Sequence, residues 1–304
     1  MTEPDRLPEA SLGSEPGRVT VPRAAAAETV PMVEAALAGA VRPRRFGAWY
    51  IAEHQLRQMR SYGWTVVMSG IGSPLIYMLG IGLGLAAFLE VPVASGPDGP
   101  VDYLWFVAPA LLATAAVSVT TEEFTYTVMA GFKWRRLFWG MNASPVSPEQ
   151  VCSGLVIAVT GRMVFVSTAY YLVMVLFGAV GNVALGAFMV PVGVLAGLAF
   201  GLPLLAFSAG IEDDRGQFAM VQRFVFTPLF LFSGTFYPLD TLPVGLQWIG
   251  WISPIWHAAE AGRLLSYGPG PDSWPLGAHL AVLAVLAVVG WFVARRVFVG
   301  RLRA

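Results

Sequence analysis

Ser61–Leu89 reads SYGWTVVMSGIGSPLIYMLGIGLGLAAFL and carries no charged side chain. At about 1.5 Å rise per residue such a run, wound as a helix, is long enough to cross a hydrocarbon core roughly 30 Å thick. Comparable runs succeed it, separated by polar, acidic or arginine-bearing gaps. Across the 304 residues 56% are hydrophobic and 12% charged, about half the charged share of a soluble domain. The chain is therefore read as an all-α integral membrane protein. Cys152 is the sole cysteine and excludes an intrachain disulfide or a multi-cysteine metal site. Lys133 is the only lysine, and the bias toward Arg, Ala, Gly and Val suggests a GC-rich bacterial genome.

The spans predicted from this pattern cover about 64–89, 103–121, 151–180, 183–209, 218–235 and 276–298. Residues 1–40 hold no sustained apolar run and are expected to form a disordered tail outside the membrane domain of 41–304. They lack the apolar core of a secretory signal. Arg44-Arg45-Phe46 is followed too late by an apolar run of the wrong length for a twin-arginine export signal. Over 45–60, Phe46, Trp49, Leu56 and Met59 share one helical face, and Arg45, Glu53, Arg57 and Arg60 a wetter one. This predicts a helix lying in the membrane surface, aromatic side inward; a cytosolic helix docked on another subunit is the alternative.

Basic residues set the expected orientation. With the amino terminus in the cytosol, the cluster Arg42–Arg60, Lys133, Arg135, Arg136, Arg215, Arg223 and the terminal arginines fall inside, and the outer loops hold only Arg263. Both termini are then cytosolic. Within 236–270, Thr241–Trp256 is uncharged for sixteen positions, short of a span, and Pro238, Pro243 and Pro254 interrupt it. Two short helices that enter from outside and return are expected, a path tolerable only against protein or a wet cavity.

Several chemistries have no sequence support. There is no G-x-x-x-x-G-K phosphate loop, and Lys133 comes after Ala130-Gly131-Phe132. His54, His257 and His279 lack metal-ligand spacing, and no G-x-S-x-G occurs. Glu212-Asp213-Asp214 has the look of a metal–diphosphate site but reads more simply as a solvated turn beside Arg215. Arg162 stands inside the third apolar run, where an arginine costs at least about 2.5 kcal/mol and must face protein or water. It either contacts an anionic, lipid-like substrate or snorkels to the interface. Glu122-Glu123 closes the second span and either caps a helix or pairs with an arginine. Gly70, Gly72, Gly80, Gly82 and Gly84 permit close approach of the first span to a neighbour, across a dimer seam or within one subunit.

Three segments carry a family resemblance. Phe232-Ser233-Gly234-Thr235-Phe236-Tyr237-Pro238-Leu239-Asp240-Thr241-Leu242-Pro243 resembles the F-S-G-x-F-[FY]-P element of type-2 ABC exporter permeases. Ser253-Pro254-Ile255-Trp256-His257-Ala258-Ala259-Glu260-Ala261-Gly262-Arg263 resembles the P-[LI]-x-H-x-x-[ED]-x-x-R element of the nodulation-type lipo-oligosaccharide and daunorubicin-resistance permeases. Asn142-Ala143-Ser144-Pro145-Val146-Ser147-Pro148 is similar to the A-[TS]-P-[LV]-[ST] turn after the second span. The resemblance covers about residues 45–300.

The resemblance implies a six-span half-transporter that dimerises with a second copy or a related permease. Each half would dock a separate ABC ATPase, which binds ATP and magnesium; this chain would bind no cofactor and no nucleic acid. It implies residence in the bacterial cytoplasmic membrane and export of an amphipathic substrate: a lipo-oligosaccharide, a glycolipid or a hydrophobic drug. The segment 125–148 becomes the coupling element, with Phe132, Lys133, Trp134, Arg135, Arg136, Leu137, Phe138 and Trp139 offered to a groove on the ATPase; aromatic and basic residues settling in the membrane interface is the alternative. Phe232, Ser233, Gly234, Phe236, Pro238, Pro254, His257, Glu260 and Arg263 become an outer gate. Two other classes stand beside this reading. A lipid-modifying membrane enzyme would use Asp213, Asp214 and His257. A proton-driven transporter would need titratable groups that the spans, apart from Arg162, nearly lack.

Overall fold

The computed structural model describes residues 23–85, 94–97, 99–271 and 273–304. The main helices among them are α1 (Arg23–Arg60), α2 (Gly63–Ile81), α3 (Tyr103–Trp134), α4 (Leu137–Asn142), α5 (Pro148–Leu176), α6 (Val183–Gly210), α7 (Gln217–Phe232), α8 (Val244–Ile252), α9 (Pro254–Ser266) and α10 (Leu276–Arg303). Among the described residues five of these, α2, α3, α5, α6 and α10, are long and apolar enough to cross a membrane. The predicted span 218–235 corresponds to α7, a shorter apolar helix that stops at Phe232 because Ser233 and Gly234 turn the chain; Gly234 takes φ +65°, a conformation glycine alone adopts cheaply. Positions 86–89, the end of the first predicted span, lie outside the described residues.

Two expectations need correction. The all-helical reading missed a small hairpin, Ala94–Gly96 against Gly99–Val101, antiparallel with Ala94 opposite Val101. The unstructured tail assigned to 1–40 lies outside the described residues up to position 22, but from Arg23 the chain is helical. The described residues up to Arg42 belong to one compact unit and Pro43–Ala304 form a second.

In the second unit α6 is central and packs against α3, α10, α9 and α5. Its face toward α3 is built of Gly193, Gly197 and Gly201, one helical turn apart. A methyl group at Gly201 would sit 2.5 Å from Thr120 Cβ, and one at Gly197 3.1 Å from the Ala116 carbonyl. These small residues let two backbones meet where side-chain packing, not water exclusion, holds helices together. Gly290 on α10 repeats the device against Pro203 of α6, 2.6 Å from where its β-carbon would be. The glycines of the first span behave differently. Gly72, Gly80 and Gly84 face no heavy atom within 4 Å, and Gly70 meets only Phe165 and Val166. Gly70 thus packs on α5, whereas Gly72, Gly80 and Gly84 leave open space among the described residues.

Helix α1 bends at Phe46, whose φ −116° and ψ 20° leave the helical region. Its last turns lie on α5 through buried Ile51, Ala52, Gln55 and Met59. Phe46 and Trp49 are half or more exposed, so most of the predicted aromatic face points away from the protein, while Met59 points in. The contact with α5 is close: a β-carbon on Gly154 would lie 2.5 Å from Ile51 Cβ and 2.6 Å from the Ala48 carbonyl oxygen. Because backbone cannot step aside cheaply, Gly154→Val is expected to cost about 1–3 kcal/mol. The check is the apparent Tm of the solubilised protein; an unchanged value would mean α1 does not rest there.

Candidate functional site: the two ends of the bundle and the pin between them

At one end, α3 runs on past a break at Thr125 (φ −107°, ψ −97°) to Trp134, turns at Arg136, and re-enters the bundle as α4. Arg136 holds φ 51°, a left-handed value uncommon for a side chain this large. Phe132 and Phe138 are buried and meet Phe298 of α10, with ring centroids 4.8 and 5.2 Å away and 5.0 Å between the two. The Trp139 indole donates to the Phe132 carbonyl at 3.1 Å, and the Arg301 guanidinium covers the Phe132 ring at 4.2 Å. Arg301 also donates to the carbonyls of Ala209 and Ile211 at 2.8 and 2.7 Å. The predicted coupling stretch therefore divides. Phe132 and Phe138 are anchors inside the subunit and cannot be offered to a partner. Lys133, Trp134, Arg135, Arg136 and Trp139 are exposed, with Leu137 half-buried.

Lys133 pairs with Asp213, and the Asp214 carboxylate accepts from the Gly216 amide at 2.9 Å, starting α7. This settles Glu212-Asp213-Asp214 as a turn. Among the described residues no group of three or more His, Cys, Asp or Glu is placed to hold a metal. The turn after α4 has its own logic. Ser147 Oγ accepts from the Gln150 amide at 3.3 Å while the Gln150 side chain accepts from the Ser147 amide at 3.0 Å, a capping box with Pro148 in the first turn of α5. Gln150 Nε2 also donates to the Arg44 carbonyl at 2.7 Å, tying the start of α5 to α1.

Midway along the bundle sits Arg162 of α5. One nitrogen donates to Glu122 at 2.7 Å and another to Glu123. The arginine side chain is 9% exposed and that of Glu123 4%, whereas Glu122 is open at 60%. The pair is the protein partner that the cost of a buried charge demands, and it decides between the two readings of Glu122-Glu123. Beside it lies a cavity of about 260 Å³ between α2, α3, α5 and α7, lined by Ser73, Tyr77, Thr114, Ser118, Glu122, Arg162, Tyr170 and Phe230 among others. The hydroxyls interleave with apolar walls, as an amphipathic guest requires.

At the opposite end Arg263 joins the two sequence elements found around 232–263. Buried to 3% exposure, it donates from Nε to the Phe106 carbonyl at 3.0 Å, from Nη1 to Glu260 at 2.5 Å and from Nη2 to the Gly234 carbonyl at 2.6 Å. Its guanidinium lies 3.6 Å from the Phe106 ring centre. Ser233 and Ser253 share a 2.6 Å hydroxyl contact, Ser253 Oγ accepts from the Ile255 amide to start α9 ahead of Pro254, and Tyr103 donates to the Phe236 carbonyl at 3.0 Å. His257 Nδ1 lies 3.0 Å from His279 Nδ1, and its Nε2 3.0 Å from the Trp251 carbonyl. Burial pushes the His257 pKa below the ordinary imidazole value. Ser233, Gly234, Phe236, Pro238, Pro254, His257, Glu260 and Arg263 are thus brought together, and Phe232 ends α7 just before them. Sequence reasoning missed Phe106 and Tyr103 as the supports of this group.

The groups of the enzyme alternative are not brought together. His257 contacts His279 near the start of α10, while Asp213 shares a cleft with Arg301 near its end. Twenty-two residues of helix separate His279 and Arg301, about 33 Å.

The five long apolar helices, with a basic, aromatic edge at one end and a hydrogen-bonded cap at the other, make this a multi-pass helical membrane protein. The chain belongs to the ABC-2 type transporter family, whose model matches residues 48–266. It is 26% identical over 231 residues to Nodulation protein J of Rhizobium meliloti (strain 1021), covering 75% of this chain and 83% of that protein. The likeness to Nodulation protein J of Neorhizobium galegae is 27% over 235 residues, with 75% and 83% covered. It is also 28% identical over 182 residues to the probable multidrug ABC transporter permease YbhR of Escherichia coli (strain K12), covering 56% of this chain and 46% of that one.

Proposed function

We propose that this chain is the membrane subunit of an ATP-driven exporter of an amphipathic molecule (a lipo-oligosaccharide, a glycolipid or a hydrophobic drug) and that a separate ABC ATPase supplies the energy. Family membership supports the class; the names of the relatives, nodulation proteins and a multidrug permease, support the range of cargo. The observation that carries the coupling role is the division of 132–139: two phenylalanines fastened to α10 hold out a rim of Lys133, Trp134, Arg135, Arg136 and Trp139. A rim so mounted transmits a push into α3 and α10 instead of yielding locally. ATP and magnesium bind the partner, whose closure moves the rim and rocks the permease.

Under this reading α7, with the Ser233–Tyr237 turn, makes the sixth crossing, both termini lie in the cytosol, and α8 and α9 dip in from outside and return. Trp248, Trp251 and Ile252 of α8 are half-exposed or more, a surface fit for lipid, while α9 is buried. The outward-facing glycines of α2 suit the seam with a second permease copy. The groove beside Arg162 takes the cargo, with Glu122 at its polar edge.

Two measurements test this. The chain expressed with its ATPase should co-purify with it, and the chain alone should hydrolyse no ATP; turnover by the isolated chain would refute the assignment. Charge reversal at Arg135 and Arg136 should lower transport-coupled ATPase stimulation at least about tenfold, the effect of losing roughly 1.4 kcal/mol of docking, with insertion unchanged. Full stimulation in that variant would remove the rim from the coupling path.

A further inference from the structure

A cavity of about 470 Å³ lies between α3 and α7, walled by Ser118, Thr121, Glu122, Tyr126, Gln222 and Arg223 among others. Its volume is that of a small-molecule site. Tyr126 and Phe218, edge to face with ring centres 5.1 Å apart, tie the two walls together. α3 runs from the Arg263 cap toward the rim, and α7 runs back from the Lys133–Asp213 pair to the cap. Glu122 precedes Tyr126 by four residues and Arg223 follows Phe218 by five. Both charges therefore stand at a similar level, roughly 6–7 Å above that ring pair.

The two do not pair with each other. Glu122 Oε2 accepts from Arg162 at 2.7 Å, while Oε1 has no partner among the described residues and the side chain is 60% exposed. Arg223 is exposed and makes no hydrogen bond or ion pair among the described residues. One cavity thus holds an open anion on the α3 wall and an open cation on the α7 wall. A guest with a single charge would face a like charge across it; a short zwitterion meets both. The walls differ in the same sense. Ser118, Thr121 and Thr125 spend their hydroxyl hydrogens on carbonyls one turn back on α3, at 2.9, 2.9 and 2.7 Å. Toward a guest they can only accept, as an ammonium with three donors and no acceptor requires. On the other wall a guanidinium suits phosphate oxygens, and the Gln222 amide stands beside it. Met220, Phe224 and Val225 of α7 leave exposed apolar surface around Arg223.

We infer that this cavity seats the headgroup of a phosphatidylethanolamine molecule from the bilayer. The ammonium lies on Glu122, the phosphate on Arg223, and the acyl chains run along the apolar face of α7. Phosphatidylcholine offers the carboxylate no N–H, and phosphatidylglycerol offers it no cation. The lipid is a resident and not the cargo, so the inference goes beyond the transport reading, although the cavity meets the groove beside Arg162 at Ser118, Glu122 and Phe226.

The test needs neither ATPase nor cargo, so its outcome is independent of that reading. The full chain, delipidated in a glycol-ether detergent, is titrated by native mass spectrometry with dioleoyl phosphatidylethanolamine, phosphatidylcholine and phosphatidylglycerol. The first phosphatidylethanolamine should bind about tenfold more tightly than either other lipid, the worth of one charge-assisted hydrogen bond. Glu122→Gln should erase the preference over phosphatidylcholine and leave phosphatidylcholine binding unchanged. Arg223→Ala, on the exposed face, should weaken both by about tenfold, and it decides if the first variant fails to fold. Equal binding of the three lipids, tighter binding of phosphatidylglycerol, a preference that survives Glu122→Gln, or unchanged binding in Arg223→Ala would each overturn the inference. So would displacement of the lipid by O-phosphoethanolamine at equal concentration, which would assign the cavity to a soluble zwitterion.

Discussion

Arg263→Ala is expected to prevent accumulation of folded protein. The guanidinium serves two backbone carbonyls and one carboxylate at once, on α3, on the turn after α7 and within α9. Truncation strands Glu260 beside an empty volume and leaves the carbonyls of Phe106 and Gly234 without donors. Leaving buried acceptors unsatisfied costs about 1–3 kcal/mol each, together a large part of the roughly 5–15 kcal/mol that holds a typical domain together. The measurement is the yield of monodisperse protein by fluorescence-detected size exclusion, with the apparent Tm of whatever remains. Arg263→Lys should rescue only in part, because an ammonium lacks the planar fork that reaches three acceptors. Wild-type yield and Tm from the alanine variant would show that the cap is held by something else.

The second large effect belongs to Arg162. Arg162→Leu leaves Glu123, 3% exposed, as an uncompensated buried carboxylate, and the expected loss is again about 3–5 kcal/mol. The informative experiment is the pair. Glu123→Gln combined with Arg162→Leu removes both charges, and much of the stability should return, with a coupling energy of about 1–3 kcal/mol in the double-mutant cycle. Additive losses would mean that the two side chains do not depend on each other. The same cycle with Glu122, which is open to solvent, should give a smaller coupling, since exposed pairs are worth at most about 1 kcal/mol.

These two sites mark what the sequence could and could not convey. The hydrophobic runs were legible because lipid imposes a length: α3, α5 and α10 begin within a few residues of a charged side chain, and α6 begins at the Gly181-Asn182 turn. The ends were less so. The first arm of α3 ends at Glu123, two residues past the predicted limit at 121, and beyond the break at Thr125 the chain resumes a helical path to Trp134 that no apolar run announces. The cluster at 232–263 was visible as a pair of motifs, and its residues do converge, but Phe106 stands 157 positions before Arg263 and contributes a backbone carbonyl, which no side-chain pattern announces. In the coupling stretch, composition offered eight residues as one surface. Only the packing on Phe298, far along the chain, separates Phe132 and Phe138 as anchors from the rim they support. The reverse case is Gly193, Gly197 and Gly201. Their spacing of four is plain in the sequence, but a glycine spacing does not say which helix it faces, and the glycines of the first span are as regular and more numerous.

The break at Thr125 gives α3 two arms of unequal length. The long one, from Tyr103 to Glu123, is clasped at its far end by Arg263 and at its near end by Arg162. The short one ends in Trp134 and is bolted to α10 through Phe132. On the proposed coupling role, a displacement applied to the short arm would turn about the knuckle between them before sliding the long one, and the carboxylate clasp would set how much of that rotation is lost in the joint.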